Sequence, residues 1–127
     1  MNSKFKGTGV ALVTPFHKQG TIDFSSLGKL IEHTIEGGVN YLVVQGTTAE
    51  TATLTKEEKH AVSQFVIDTV DKRVPLMLGV GCNNTQEVVN TLRTASYEGF
   101  DAVLSVTPYY NKPSKEAFIF ITRTSPL

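Results

Sequence analysis

Cysteine is nearly absent: Cys82 is the single thiol in 127 residues. It has no partner for an internal disulfide, which suits a reducing cytosol, and its simplest role is that of a small buried residue. Charge of one sign is not in excess either. Twelve basic residues balance twelve acidic ones, so neither nucleic acid nor an anionic membrane is indicated as a partner. No apolar stretch approaches the ~20 residues of a membrane span. The N-terminus, Met1-Asn2-Ser3-Lys4-Phe5-Lys6, lacks the apolar core of a secretory signal. A cytoplasmic chain of at most one domain, long enough to bury a core, is the expectation. His17, His33 and His60 have no metal-ligand spacing, so no metal is expected. A Gly-x-Gly-x-x-Gly loop is missing as well. Thr14-Pro15-Phe16 follows the first apolar run, and Gly79-Val80-Gly81 has no third glycine, which leaves a weak phosphate-loop candidate.

What is present is an alternation of short apolar runs and amphipathic segments. Val10-Ala11-Leu12-Val13, closed by Thr14-Pro15, reads as a first strand. Asp23 is a good N-cap for a helix with Phe24, Leu27, Leu30, Ile31 and Ile35 on one face, ended by Gly37-Gly38. Tyr41 to Val44 is the second strand. Thr55 and Glu58 form a capping box for a helix that buries Ala61, Val62, Phe65, Val66 and Val70. Pro75 to Val80 is the third strand, and Asn84 with Glu87 repeats the capping signature. Val88, Val89, Leu92 and Ala95 line the third helix, and Gly99 stops it before a fourth strand from Ala102 to Val106. Strands without polar alternation, each followed by an amphipathic helix, mean a parallel sheet covered by helices. Four strands and three helices fit either a small open doubly wound sheet or the first half of an eight-stranded barrel.

Two motifs stand where strands end, the usual address of catalytic groups in parallel α/β proteins. Gly46-Thr47-Thr48-Ala49-Glu50 follows the second strand, and Thr107-Pro108-Tyr109-Tyr110-Asn111-Lys112-Pro113 follows the fourth. Their hydroxyls carry no charge at neutral pH, yet they can pass protons or grip a carboxylate. Without further context, paired threonines after a strand are turn and capping residues. By the same standard Tyr109 and Tyr110 are an aromatic plug before a proline turn, and Lys112 is a solvated turn residue.

These strings, with Gly7-Thr8-Gly9-Val10-Ala11-Leu12-Val13-Thr14-Pro15-Phe16, resemble the dihydrodipicolinate synthases, also called 4-hydroxy-tetrahydrodipicolinate synthases. That family belongs with N-acetylneuraminate lyase among the Schiff-base aldolases built on TIM barrels. The resemblance is collinear from about Phe5 to Glu116, and it implies a (β/α)8 barrel of which this chain holds the first half. It further implies condensation of pyruvate with L-aspartate 4-semialdehyde in the diaminopimelate route to lysine, with no cofactor, in a homo-oligomer arranged as a dimer of dimers. Carried over by position, Thr47 and Tyr110 belong to a proton relay, and Thr48 holds the pyruvate carboxylate. Tyr109 packs at the subunit interface that Tyr110 crosses. A feedback-lysine site maps onto Thr51, Ala52, Asn83, Glu87 and Tyr109. Lys56 and Lys59 stand where some relatives have histidines. Ala49 replaces a family glycine, and a tight loop follows if that position needs a positive φ. The family's imine-forming lysine comes from the sixth strand, and no lysine here carries that motif. The double threonine and the Tyr-Tyr-Asn-Lys-Pro string favour the synthase over an N-acetylneuraminate lyase-like 2-keto-acid aldolase, and a non-catalytic half-barrel fragment stays open as the other alternative.

The resemblance stops at Glu116. Beyond it the family continues as a helix, whereas Phe118-Ile119-Phe120-Ile121 is a continuous apolar, β-prone run with no polar face. Loss of one base after the codon for Glu116 accounts for the change. The shifted frame can be read Gly-Leu-Tyr-x-His-Tyr-Lys-x-Ile-Ala, close to the family's helix. Residues 1–116 are therefore expected to be the N-terminal half of a synthase domain, and residues 117–127 a frameshifted tail that leaves this chain inactive alone.

Overall fold

The computed structural model describes residues 3–110 and 114–116. The expected frameshifted tail, and Asn111, Lys112 and Pro113 of the second motif, lie outside the described residues. Strands β1 (Gly9–Ala11), β2 (Tyr41–Val44), β3 (Leu76–Val80) and β4 (Ala102–Ser105) alternate with helices α1 (Phe24–Glu36), α2 (Lys56–Val70) and α3 (Thr85–Thr94). Each helix starts where its cap dictates. The Asp23 carboxylate accepts from Ser26 N–H at 2.9 Å. Thr55 and Glu58 make the full reciprocal box, with bonds of 2.8 and 3.2 Å. Asn84 caps α3 by accepting from Gln86 N–H at 3.0 Å and Glu87 N–H at 3.3 Å. Such caps satisfy backbone donors that the helix itself leaves unpaired.

Every strand pairs in parallel with its sequence neighbour, giving the order β1-β2-β3-β4. Doubly wound sheets reverse their strand order and carry helices on both faces. Here nothing reverses. In register, Leu42 faces Leu76 and Val44 faces Leu78, and alternation puts Val80 on the same side. Leu42, Val44 and Leu76 pack with Leu27 and Ile31 of α1 and with Val62, Val66 and Val70 of α2. Leu78 and Val80 pack with Val88 and Leu92 of α3. All three helices therefore cover one face, the arrangement of the N-terminal part of a TIM barrel. Fully enclosed side chains such as Ile31 and Val66 each contribute about 1.5–3 kcal/mol.

The other face carries Val43, Met77 and Ala102 in one row and Gly79 and Leu104 in the next. Leu104 is 43% exposed there. By apolar character alone Val10, Leu12, Leu42, Val44 and Leu104 are all candidates to fill a barrel interior, but Leu12, Leu42 and Val44 turn to the helices and are buried, and Val10 packs against the same cluster. Of these five, Leu104 alone faces the interior side. Three smaller expectations also shift. Ala61 is exposed, not core. α3 ends at Thr94 in an extended Ala95, and Gly99, at φ +87°, instead makes a turn so close to Ile67 that a Cβ would collide with it. Cys82 is only partly buried.

At the amino-terminal end of the sheet, Phe5 meets the Tyr41 ring edge-on at 5.3 Å. Asp101 ties the end of β3 to the chain start. Its carboxylate accepts from Lys4 Nζ at 2.8 Å and from Leu76 N–H at 3.1 Å. The Lys4 ammonium, ahead of the Leu76 amide, holds the Asp101 carboxyl below its usual range.

Candidate active site

Because all four strands are parallel, the segments that follow β2 and β4 leave from the same edge of the sheet. Both hydroxyl motifs are on that rim. After β2 the backbone turns sharply at Gln45, φ +58°, and runs into a 3-10 turn, Thr47–Ala49. Ala49 N–H and Glu50 N–H close it on Gly46 and Thr47 carbonyls, each at 3.0 Å. A second 3-10 turn, Thr51–Thr53, follows at once. Thr47 and Thr48 are both exposed. Ala49, by contrast, is 2% exposed.

The positive φ expected at Ala49 falls on Glu50, which sits at φ 55°, ψ 35°. Ala49 is therefore not the strained position, and its methyl group fills space in the core. Three contacts hold the turn. Thr14, the buried polar residue of the described chain at 5% exposure, donates its hydroxyl to the Ala49 carbonyl at 2.8 Å. The Gln45 side-chain amide donates to the Lys59 carbonyl and to Ser63 Oγ, both at 2.6 Å, fastening the strand end to α2. Gly79 of β3 lies under the turn: a Cβ there would strike the Gln45 carbonyl and stand 2.8 Å from Gly46 N. That close approach explains a glycine read earlier as a weak phosphate-loop candidate. Gly81 is explained likewise by Val106, whose methyl would collide with any added Cβ.

After β4, Thr107, Pro108, Tyr109 and Tyr110 continue along the same rim. Tyr109 is 53% and Tyr110 93% exposed, and Tyr110 has φ +78°. The described residues leave the Tyr110 ring almost wholly uncovered. Sequence reasoning singled out the threonines and tyrosines, gave Thr14 and Gln45 no part in the site, and saw Gly79 only as part of a weak phosphate loop. A lone hydroxyl closing an apolar run was the available signal for Thr14.

Beside the rim, between α2 and α3 and over β3, is a cavity of about 380 Å³. Gln45, Thr51, Lys56, Lys59, Glu87 and Thr91 are among its lining residues. Of the expected feedback set, Thr51 and Glu87 line it, while Ala52, Asn83 and Tyr109 do not. Among the described residues no cluster of three or more His, Cys, Asp or Glu could hold a metal ion. No helix among them is long and apolar enough to cross a membrane.

A one-sided parallel sheet with hydroxyl-bearing turns on its carboxyl rim defines the N-terminal part of a TIM-barrel enzyme. The family model of the dihydrodipicolinate synthetase family matches residues 4–120, and the chain belongs to that family, whose members are lyases. It is 54% identical over 111 residues to 4-hydroxy-tetrahydrodipicolinate synthase of Parabacteroides distasonis, covering 87% of this chain and 37% of the relative. It is 50% identical over 127 residues to the Flavobacterium psychrophilum enzyme of the same name, covering 97% and 43%. Among solved structures, the chloride-inhibited dihydrodipicolinate synthase from Acinetobacter baumannii, complexed with pyruvate, superposes with a TM-score of 0.84 at 42% identity. That likeness covers 95% of this chain and 43% of the other. The chain thus spans about two fifths of the length of the proteins it matches.

Proposed function

We propose that this chain carries the first half of the catalytic rim of a 4-hydroxy-tetrahydrodipicolinate synthase, which condenses pyruvate with L-aspartate 4-semialdehyde. The observation that carries the reading is the pair of exposed hydroxyl motifs on one rim, Thr47-Thr48 and Tyr109-Tyr110, in a chain of this family. Thr48 holds the pyruvate carboxylate through its hydroxyl and backbone N–H. Thr47 and Tyr110 pass protons during the condensation. Tyr110, exposed on its own chain, reaches into the site of a neighbouring subunit in a dimer of dimers, and Tyr109 packs at that interface. Imine formation needs an amine nucleophile, and that lysine is absent from these residues. The chain alone therefore binds pyruvate without turning it over. Residues 117–127 are read as the product of a shifted frame, which resequencing across the codons for Glu116 and Ala117 tests.

Thr51 and Glu87 belong to a feedback-lysine site together with Ala52, Asn83 and Tyr109. Lys56 and Lys59 add two positive charges to that cavity, which repel a cationic amino acid. Inhibition by lysine is accordingly weak.

Hydrogen–deuterium exchange of the 127-residue chain tests the reading. Pyruvate is expected to protect residues 46–54, and Thr48→Val to weaken that protection about tenfold through loss of a charge-assisted hydrogen bond. Borohydride added with pyruvate is expected to leave no stable adduct. Protection elsewhere only, or a trapped adduct on any lysine of the chain, overturns the proposal.

A further inference from the structure

Thr14 is not one of the hydroxyls on the exposed rim, yet it is built into the same place. It follows β1, it is 5% exposed, and its hydroxyl is committed to a single acceptor, the Ala49 carbonyl. That carbonyl belongs to the residue immediately after Thr47 and Thr48. The same residue is held a second time by burial of its methyl group. On either side of the turn the backbone is left-handed at non-glycine residues, Gln45 at φ 58° and Glu50 at φ 55°. Such conformations cost free energy and persist only where the surroundings impose them. A buried hydroxyl aimed at the turn is one such constraint, and the Gln45 side chain bonded to α2 is another.

We infer that Thr14 is a positioning residue: its buried hydrogen bond to Ala49 fixes the Thr47-Thr48 turn in the geometry that presents both hydroxyls to the ligand. That the ligand is a carboxylate rests on the function proposed above; that the turn is held by Thr14 does not. Valine has nearly the shape of threonine but no donor, so Thr14→Val leaves the Ala49 carbonyl buried and unpaired. Serine keeps the donor and loses only a methyl group. Reactive groups displaced by about 1 Å lose a large part of their effect, so a bond remote from the ligand has leverage on its binding.

Hydrogen–deuterium exchange, read by segment on the full 127-residue chain with and without pyruvate, decides the matter. In Thr14→Val, exchange of residues 46–54 is expected to rise about fivefold to thirtyfold, the ratio that corresponds to one lost hydrogen bond, while α1 and α2 stay at the wild-type rate. Protection by pyruvate in that segment falls about tenfold. Thr14→Ser restores both. Wild-type exchange at 46–54 in Thr14→Val overturns the inference. So does a rise spread evenly over the chain, since that reports stability rather than position, and so does failure of Thr14→Ser to restore the segment. If pyruvate protects nothing even in the wild type, the carboxylate reading fails while the exchange rates alone still judge Thr14.

Discussion

At Ala49 a single methyl group plays a part opposite to the one its sequence position suggests. Where the family has glycine, alanine suggests a loop under tension, but the left-handed residue is Glu50 and Ala49 is buried. Ala49→Gly should therefore lower stability, by about 1 kcal/mol, through the lost methyl contact and the freer unfolded chain. A reduced urea midpoint followed by circular dichroism is the expected result; a raised midpoint would show that the turn was strained after all. Thr47, Thr48, Tyr109 and Tyr110 were conspicuous in the sequence because adjacent hydroxyls at strand ends are unusual. Thr14, Gln45 and Gly79 were not, because their importance lies in what they touch across the sheet: Ala49, Ser63 and the Gln45-Gly46 backbone. No local pattern in the sequence records those pairings.

Strands and helices were largely readable, since caps and glycines punctuate them: Asp23, Thr55 with Glu58, and Gly37-Gly38 all act as expected. What the runs conceal is which way each strand faces. Parallel strands are apolar on both sides, so Leu12, Leu42 and Val44 could be assigned to the barrel interior as easily as to the helix layer that they occupy. The amino-terminal end of β3 offers a pH test. Asp101 has a depressed folded pKa because Lys4, and then the Leu76 amide, favour its charged form. Its contribution is fully present above the unfolded carboxylate value of about 3.9 and is lost as pH falls through the lower folded value. Wild type and Asp101→Asn should thus differ in melting temperature at pH 6 and converge on acidification below about pH 4. A gap that is constant with pH would mean that the carboxylate charge plays no part.

Among the described residues the sheet has two open edges, β1 and β4, and one face that α1, α2 and α3 leave uncovered. Closed barrels have no edges. Leu104 on the open face, with Val13 and Val106 just past their strands, is 37–46% exposed. We expect the 127-residue chain to self-associate or aggregate and to show no condensation of pyruvate with aspartate semialdehyde. Light scattering behind a sizing column checks the first, and Leu104→Glu should reduce the associated fraction. Leu42→Glu, aimed at the helix layer, should unfold the chain instead. A monodisperse wild-type monomer with a sharp cooperative melt would contradict the expectation.

The Lys4–Asp101 bond joins residues 97 positions apart. During synthesis each new strand can dock on the one before it, N-terminal units first, but this clasp has to wait until β4 has left the ribosome. Until then the carboxylate to which Lys4 donates in the finished fold has not been placed. The pair is thus a mark of completion, formed only when the fourth strand has taken its place.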